Sequence, residues 1–461
     1  MGVSTGATSE GLECAWVVAG RSRSVYTRFQ NGRTRRRLER PSSPTSGATT
    51  VESRIAMAKA RGHSWQFKTR FRRHAFGWKS QPAIARLHEA VSEITLVARV
   101  DPILGAEGAV VLLERLSPAL EQVDSSSGAI GAAVNHAIAQ LVSVIVAAPA
   151  DPDSRARWLD RLFDAHAADE IPYIERLADY WGELCGSPEV ASAWADRLIG
   201  ITRLALSRDK GVRGYFHGTT ACLSALLAAG RYKELVALVR RETFWPYKRW
   251  AAKAMAAMGQ ADEAIAYAEA SRGPWASDTD IDRLCEQILL SLDRRAEAYA
   301  HYGLSANRAG TYLAWFRAVR RAYPEHAPAD VLGDLVRYTR GDEGKWFAAA
   351  KSAKLLDEAI ALANTAPCDP RTLTRAARDF ARANPTFATE AGLAALRWLA
   401  AGHGYEITAG DVWAAYHETL SAATNAGVRE NTLDRIRSYL ESPTARSGFA
   451  ATVLGPALDR G

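Results

Sequence analysis

The sequence predicts an all-α protein built as an α-solenoid of stacked antiparallel helix hairpins. Two glycines, Gly230 and Gly259, each end a helical run, and an acidic residue follows in the first turn of the next run. Similar turns recur 29 to 34 residues apart, near Gly230, Gly259, Asp293, Glu325, Lys354 and Pro385. No strand-like alternation of any length occurs. Because a hairpin of two short helices cannot bury its own apolar face, such units have to stack on their neighbours.

The composition is that of a soluble globular protein, with 48% hydrophobic and 24% charged residues in a chain of 461. The net charge of +7 is unevenly distributed. Residues 1–80 hold 16 Lys or Arg and 4 Asp or Glu, whereas the rest of the chain holds 42 basic and 47 acidic residues. Proteins that depend on phosphate attraction neutralise about 6 to 10 phosphates. Only the first part of the chain carries a net positive charge suited to that role.

The cysteines and the N-terminus predict a cytoplasmic protein. Five cysteines are present, they lie far apart, and no C-x-x-C pair occurs, which is typical of a reducing compartment. The apolar run at residues 15–19 is too short for the core of a signal peptide, and two glutamates precede it. We therefore do not expect secretion.

Residues 1–56 are predicted to form a disordered basic head. They are rich in Ser, Thr, Gly and Arg and show no sustained helical or strand period. Two other interpretations remain open for this segment. Its Arg- and Ser-rich, acid-poor part resembles an organellar transit peptide in composition. Alternatively, translation starts at Met57 and the head is a mis-assigned start.

Residues 57–80 form a basic-aromatic lead-in, in which cations alternate with rings. The cations and the ring that suit a nucleic-acid strand are Arg70, Arg72, Arg73 and Trp78. Rings stack on bases and cations contact phosphates, so this lead-in supports a nucleic-acid interface. The preferred interpretation is structural: the rings pack the first helix onto the repeats while the cations stay in water.

Residues 81–208 are predicted to form N-terminal helical repeats. The helices are expected at about 83–99, 103–122, 128–148, 154–167, 170–185 and 188–207. Asp101, Asp151 and Ser187 each precede a proline, as capping residues do. Residues 125–150 carry no formal charge, which raises the question of a membrane span. Polar residues within this segment favour a helix packed between neighbours, and we expect no membrane partner.

Residues 209–402 are predicted to form the clearest repeats, and residues 403–461 a capping helix pair and a tail. One predicted apolar stripe consists of Ile281, Leu284, Cys285, Ile288 and Leu292. The charged residues between them, Asp282, Arg283 and Glu286, are expected on the solvent face. The last helices are expected near 411–424 and 428–442, and a small-residue tail is expected from Ser442 onwards.

Two repeats resemble tetratricopeptide units, most clearly at residues 259–267 and 357–363. At whole-chain scale, residues 70–442 resemble a family of uncharacterised bacterial helical-repeat proteins. The stretches that carry this resemblance are residues 75–78, 124–128, 344–348, 372–379 and 404–408. The resemblance implies a tetratricopeptide-like architecture, and it implies no activity and no site residues.

No constellation typical of catalysis or cofactor binding is apparent. The sequence at residues 341–346 fails as a phosphate-binding loop because Thr339 replaces the first glycine and Trp346 replaces the magnesium-binding hydroxyl. Residues 278–282 fail as a calcium loop because Arg283 and Leu289 occupy the glycine and glutamate positions. The ten histidines show no zinc spacing. We expect no metal and no cofactor; an enzyme is disfavoured, although distant residues can converge.

The predicted working surface consists of two neighbouring stretches. A loop places Arg213 and His217 before a helix whose free N–H groups suit an anion or acidic peptide. A cation-aromatic cluster follows and contains Trp245, Tyr247, Lys248, Arg249 and Trp250. The structural alternative is that Thr219 or Thr220 caps the helix and His217 packs under Tyr215. The sequence predicts a non-enzymatic scaffold that binds a protein or peptide; the alternative is a nucleic-acid-associated protein that uses the basic head.

Overall fold

The fold is all-α, as the sequence predicted. The computed structural model describes residues 63–207, 209, 213–274, 276–441 and 448–458, and every regular element within them is helical. The predicted disordered head at residues 1–56 lies outside the described residues. The chain divides into two compact units, unit 1 (Met1–Tyr267) and unit 2 (Ala268–Gly461). This division falls inside the 209–402 segment, whereas the sequence placed boundaries at 208 and 402.

Unit 1 is formed by a series of helices that pack on their neighbours along the chain. They are α1 (Gln66–Arg70), α2 (Ser80–Val100), α3 (Pro102–Leu120), α4 (Ala129–Ala147), α5 (Pro152–Ala167), α6 (Trp181–Cys185), α7 (Pro188–Ala205), α8 (Thr219–Ala228), α9 (Tyr232–Val239), α10 (Trp245–Ala257) and most of α11 (Ala261–Glu269). Helix α3 packs against both α2 and α4, and α8 packs against α7, α9 and α10. In these pairs, each helix covers part of the apolar side of the helix that it packs against.

The three predicted helix starts are confirmed. The side chains of Asp101, Asp151 and Ser187 accept hydrogen bonds from backbone N–H groups three residues ahead, at 3.0, 2.9 and 3.3 Å. Each is followed by proline at the first helical position, where a missing N–H costs nothing. These caps begin α3, α5 and α7.

The helix predicted at 170–185 is wrong in its first half. Residues 170–174 form a loop, a 3-10 turn (Glu175–Tyr180) follows, and only α6 is α-helical. The buried Asp169 carboxylate accepts hydrogen bonds from the Ile174 N–H at 2.8 Å and the Ser117 hydroxyl at 2.5 Å. Pro172 lacks an N–H for a helix interior. The backbone is therefore tied to a side chain instead of continuing a helix.

The aromatic residues of the lead-in divide between core and surface. Trp65, Phe67 and Phe71 are buried against α2 and α3. The Trp65 ring packs so closely on Gly108 that a Cβ added to this glycine would lie 2.3 Å from the ring. Trp78, by contrast, is 72% exposed. The packing interpretation is confirmed for Phe71 and does not apply to Trp78.

Helix α4 contains the uncharged segment. Its buried residues lie on one side and belong to the core of unit 1: Ile130, Val134, Ala137, Ile138, Leu141, Val142 and Ile145. Among the described residues it is the one helix long and apolar enough to cross a bilayer. Core helices of soluble proteins meet the same criterion, and α4 packs against α2 and α3.

Unit 2 continues with short helices that pack in the same neighbour-to-neighbour way. They are α12 (Asp278–Ser291), α13 (Arg295–Ala298), a π-helical turn (Tyr299–Gly303), α14 (Leu304–Ala306), α15 (Tyr312–Ala322), α16 (Pro328–Tyr338), a 3-10 turn (Glu343–Trp346), α17 (Phe347–Ser352), α18 (Leu356–Thr365), α19 (Pro370–Phe380), α20 (Pro385–Ala400), α21 (Ala409–Ala426), α22 (Arg429–Glu441) and α23 (Phe449–Leu458). Helix α20 packs against α18, α19, α21 and α22. The expected small-residue tail is wrong in part, because α23 forms a helix against α20, α21 and α22.

The turns that end the first helix of a hairpin share one geometry in both units. The turn residues with positive φ are Gly230, Gly259, Asp293, Lys354, Gly402 and Gly427. In each turn, the residue after the turn residue donates its N–H to the carbonyl five residues before it, at 2.9 to 3.0 Å. The turn residue donates its own N–H to the carbonyl three residues before it. Glu325 and Pro385 differ: Glu325 lies in an ordinary turn, and Pro385 begins α20 after the Asn384 cap.

The predicted apolar face of α12 is right in part. Ile281, Leu284, Cys285 and Ile288 are buried, but Leu292 is 50% exposed. Asp282 and Glu286 are also buried, contrary to the expected solvent face, because both have polar partners. The Asp282 carboxylate forms an ion pair with Arg272, and Glu286 accepts hydrogen bonds from the Tyr323 hydroxyl (2.7 Å) and the Asn307 amide (2.6 Å). Arg283 is exposed, as predicted.

The shared turn geometry predicts opposite effects for two substitutions. A left-handed backbone costs about 1 kcal/mol or more for a residue with a Cβ and nothing for glycine. Lys354, with φ of 64°, is exposed, so Lys354→Gly should raise the free energy of unfolding by about 1 kcal/mol. Gly259→Ala should lower it by a similar amount, since its φ is 81° and no atom lies within 4 Å of the added Cβ. Urea denaturation measures both, and a destabilised Lys354→Gly protein would contradict this account.

Candidate functional site

Several of the predicted site residues come together in unit 1, beside the 3-10 turn that follows α5. We call this group the tyrosine cluster and define it as Glu175, Asp179, Tyr215, His217, Phe244, Tyr247 and Arg249. Three pieces of chain supply it: the 3-10 turn, the loop before α8, and the first turns of α10. The loop and α10 are brought together because α8 packs on both the 3-10 turn and α10.

The loop before α8 is anchored by an ion pair. Arg213 Nη2 lies 2.8 Å from Glu242 Oε2, and the Glu242 side chain is only 4% exposed whereas that of Arg213 is 48% exposed. Glu242 lies just before α10. The pair therefore ties the start of the loop to the chain that enters α10, and it neutralises the charge of Arg213 on the side that faces the protein.

His217 lies between a surface ring and a buried ring. Its imidazole packs edge-on against Tyr215, with ring centroids 4.8 Å apart, which confirms the predicted contact. The buried His166 ring is also close, with centroids 6.0 Å apart, and its Nε2 donates to the His217 carbonyl at 3.1 Å. Burial lowers the pKa of both histidines. Burial therefore disfavours the charged form of both rings.

The two tyrosines are phenol donors at neutral pH. Burial, together with the nearby Glu175 carboxylate, raises the pKa of Tyr215 to about 12, although its side chain is 57% exposed. Burial likewise raises the pKa of Tyr247. Tyr247 packs edge-on against Phe244, which is 46% exposed, at a centroid distance of 5.2 Å. The surface thus presents rings that can also donate hydrogen bonds.

A second ion pair fixes the other side of the cluster. The Arg249 guanidinium contacts the Asp179 carboxylate, and its Nε donates to the Pro246 carbonyl at 3.1 Å. Arg176 lies 3.7 Å from the same carboxylate. Burial raises the pKa of Glu175, with a further contribution from the negative charge of Asp179. Arg249 is therefore tied to the 3-10 turn and to its own helix and is not free to extend into water.

Two of the predicted contact residues are corrected by the structure. Trp245 and Trp250 are 4% and 2% exposed, so both rings belong to the interior of unit 1 and offer no surface for a partner. Lys248 lies over the Tyr267 ring at 4.8 Å, which holds its amine against the protein. The predicted threonine cap is also wrong, because Gly218 occupies the cap position and no side chain caps α8.

The nucleic-acid residues of the lead-in are only partly free. Arg70 pairs with Glu89 at 2.7 Å, and Arg73 lies 3.4 Å from Glu121. Arg72 is exposed and has no ion-pair partner among the described residues, and it lies six residues before the exposed Trp78. The lead-in therefore offers less free positive charge than its sequence suggests.

Sequence reasoning missed the acidic half of the cluster. Glu175 and Asp179 lie about seventy residues before Arg249 in the chain and carry no motif. Lys253, one turn after Arg249, was also missed; it lies over Trp250 at 4.7 Å, and burial lowers its pKa. Among the described residues, no group of three or more His, Cys, Asp or Glu is placed to hold a metal ion.

Neither protein-family models nor curated proteins give a match to this chain. The geometry alone therefore defines the class of site. The tyrosine cluster is a surface of exposed rings and protonated phenols, held in place by ion pairs whose carboxylates lie in other elements. Such a surface is suited to recognition through aromatic packing and hydrogen bonds.

Because His166 is buried, we expect the folded protein to lose stability in mild acid. Because its folded pKa is lowered, the unfolded chain binds more protons at this ring, and its contribution to stability is complete above the unfolded pKa of about 6.5. That contribution is lost as pH falls below this value. In His166→Gln, which stays neutral and keeps an N–H for the His217 carbonyl, the free energy of unfolding should fall less between about pH 7.5 and 5.5.

The control is His88→Gln, because His88 is exposed on α2. Urea denaturation at both pH values should give the same pH dependence for this variant as for the unaltered protein. The pKa values of Asp169 and Glu175 are raised, so these carboxyl groups add to the stability of the folded protein as the pH falls. Both groups are present in all three proteins and therefore do not affect the comparison. If His166→Gln and the unaltered protein lose the same stability, His166 is not the responsible group.

Proposed function

We propose that this protein is a non-enzymatic scaffold that binds an extended peptide or a segment of a protein partner at the tyrosine cluster. One observation carries the proposal: Tyr215 and Phe244 are 57% and 46% exposed, yet the chain that bears them is anchored by ion pairs to Glu242 and Asp179. Anchored rings lose little conformational freedom when they bind. Tyrosine and arginine are also the side chains most enriched where binding energy concentrates.

The proposed architecture is a solenoid of tetratricopeptide-like hairpins in the cytoplasm. Two features support it: helices pack on their chain neighbours and next neighbours, and the same left-handed turn closes helices in both units. The resemblance of residues 259–267 to a tetratricopeptide unit points the same way. In such proteins a series of hairpins provides an extended surface for a partner.

The chemistry of the cluster indicates how a peptide would be held. The phenols of Tyr215 and Tyr247 are protonated at neutral pH and donate hydrogen bonds to peptide carbonyls. Glu175 accepts from backbone N–H groups or from a basic side chain. The rings of Tyr215 and Phe244 pack against apolar side chains of the peptide. We infer a partner with alternating apolar and polar groups in an extended conformation.

Peptide selection tests this proposal. A library of random twelve-residue peptides is selected on the full chain, and the affinity of an enriched peptide is measured by fluorescence polarisation. Tyr215→Ala combined with Phe244→Ala should weaken binding by at least about tenfold, because both side chains are exposed rings at the proposed contact. The melting temperature should not change, since neither residue belongs to the core.

Tyr405→Ala is the matched control, because Tyr405 is a 79% exposed tyrosine in unit 2. It should leave the affinity of the peptide unchanged. Two results would contradict the tyrosine cluster as the binding surface. Either the enriched peptides bind the double variant as tightly as the unaltered protein, or the selection enriches no peptide.

A second candidate is nucleic-acid association through the basic head and the lead-in. The observation in its favour is that Trp78 is 72% exposed and Arg72 is exposed without an ion pair among the described residues. One ring can stack on a base while a nearby cation contacts a phosphate. This candidate adds a recruitment role for the repeats and requires no contact at the tyrosine cluster.

A salt titration tests the second candidate. If it holds, a labelled twenty-nucleotide single strand should bind the full chain with an affinity that falls as salt rises. Arg72→Ala should reduce the slope of log affinity against log salt by up to about one, and Trp78→Ala should weaken binding at every salt concentration. Deletion of residues 1–80 is unsuitable, since it removes Trp65, Phe67 and Phe71 from the core. A strand that binds both variants like the unaltered protein would exclude this use of the lead-in.

A further inference from the structure

A groove in unit 1 contains an arginine that forms no ion pair with any carboxylate in the described part of the chain. Its volume is about 420 Å³, and it lies where the beginnings of α5 and α7 meet the ends of α4 and α6. Its walls include Arg155, Ala156, Val190, Ala193 and Trp194. None of these residues belongs to the tyrosine cluster. The volume falls within the range of small-molecule sites, about 300 to 1,000 Å³.

Arg155 is held by neutral groups only. Its Nη1 donates to the Leu184 carbonyl at 3.2 Å and its Nη2 to the Ala148 carbonyl at 3.0 Å. Among the described residues, no carboxylate forms an ion pair with it. Partial burial lowers the pKa of Arg155, but a guanidinium still remains charged at neutral pH. Three of its five N–H donors have no acceptor among the residues that the structure describes.

Gly186 packs directly against Arg155. A Cβ on Gly186 would lie 3.0 Å from Arg155 Nε, so a larger residue there would crowd the guanidinium, and the φ of 74° at this position also favours glycine. The other arginine of the groove provides a contrast, because Arg197 pairs with Asp160 at 2.7 Å and stacks on Trp194 at 4.4 Å. Of the two arginines in the groove, Arg155 is thus the one without an ion pair among the described residues.

Apolar side chains form much of the remaining wall, and Asp160, Ser187 and Arg197 are its polar residues. Val190, Ala156 and Ala193 line it together with Trp194, whose ring is fixed by the neighbouring Phe163 and Trp181 rings at 5.3 and 5.0 Å. Cys185 also lines the groove, but burial raises its thiol pKa to about 12, so it stays protonated and unreactive. A ligand here meets the unpaired Arg155, the Arg197–Asp160 ion pair, an apolar wall and a thiol that stays protonated.

We propose that this groove binds a carboxylate attached to an apolar group, with Arg155 contacting the carboxylate and the wall of Val190, Ala193 and Trp194 covering the apolar part. A carboxylate supplies the charge and the acceptors that the guanidinium lacks. Two sources offer this chemistry: a free apolar monocarboxylate, and the C-terminal carboxylate of a peptide that ends in an apolar residue. The site is independent of the proposed peptide contact at the tyrosine cluster.

Isothermal titration calorimetry with the full chain tests the proposal and distinguishes the two sources. The probes are octanoate and a pentapeptide with a C-terminal leucine, each compared with its neutral amide. At least one carboxylate should bind about tenfold or more tightly than its amide, as expected for hydrogen bonds to a charged group. Binding of octanoate identifies a free carboxylate as sufficient, and binding of the peptide alone identifies the chain terminus as the source.

Two variants locate the binding. Arg155→Gln removes the positive charge and should lower the affinity for the carboxylate probe by about tenfold or more. Ala193→Phe fills the groove from an exposed position on α7 and should abolish binding even if Arg155→Gln folds poorly. Ala85→Phe, at an exposed position of α2 outside the groove, should leave the affinity unchanged.

Three results would overturn the proposal: neither carboxylate binds, the amides bind as tightly as the acids, or Ala193→Phe binds like the unaltered protein. Tyr215→Ala combined with Phe244→Ala should not affect binding in the groove. Failure of this proposal is thereby separated from failure of the peptide contact at the tyrosine cluster.

Discussion

The left-handed turn residue that closes a helix is the constraint on which both units depend. At Gly230, Gly259, Asp293 and Lys354 the positive φ lets two N–H groups reach the last carbonyls of the helix, which would otherwise lack partners. The chain then reverses, and the next helix packs on the one before. At these turns the two short helices cover each other's apolar sides because the chain reverses between them. The spacing of these turns therefore determines which apolar faces meet.

The spacing of turns was visible in the sequence, whereas the fate of the charged residues on each helix was not. Glycine marks a left-handed position directly, and the roughly thirty-residue spacing extended the assignment to Asp293 and Lys354, where no glycine occurs. Helical periodicity assigned Asp282 and Glu286 to solvent because it treats every charge as hydrated. Their burial depends on Arg272, Tyr323 and Asn307, which lie outside α12. A periodic pattern contains no information about partners in other elements.

In the candidate site, too, some features were visible in the sequence and others were not. The sequence identified a cluster of rings and cations at the start of α10, but it did not determine which side of that helix faces inward. Trp245 and Trp250 turned out to be buried, and Tyr247 and Arg249 remained near the surface. Glu175 and Asp179 meet this helix only because α8 packs on the 3-10 turn. Nothing local to these two acids marks them, so only the three-dimensional structure reveals the cluster.

Unit 1 thus contains two surfaces that differ in how their positive charge is used. At the tyrosine cluster, Arg213 and Arg249 are neutralised by Glu242 and Asp179, so these arginines position rings and exert little attraction at long range. In the groove, Arg155 is held by two carbonyls that fix its geometry and leave its charge uncompensated. A neutral, ring-rich surface discriminates by shape and hydrogen bonding, whereas an uncompensated guanidinium beside an apolar wall discriminates by charge. The two surfaces are therefore suited to different ligands, and one protein can hold both at once.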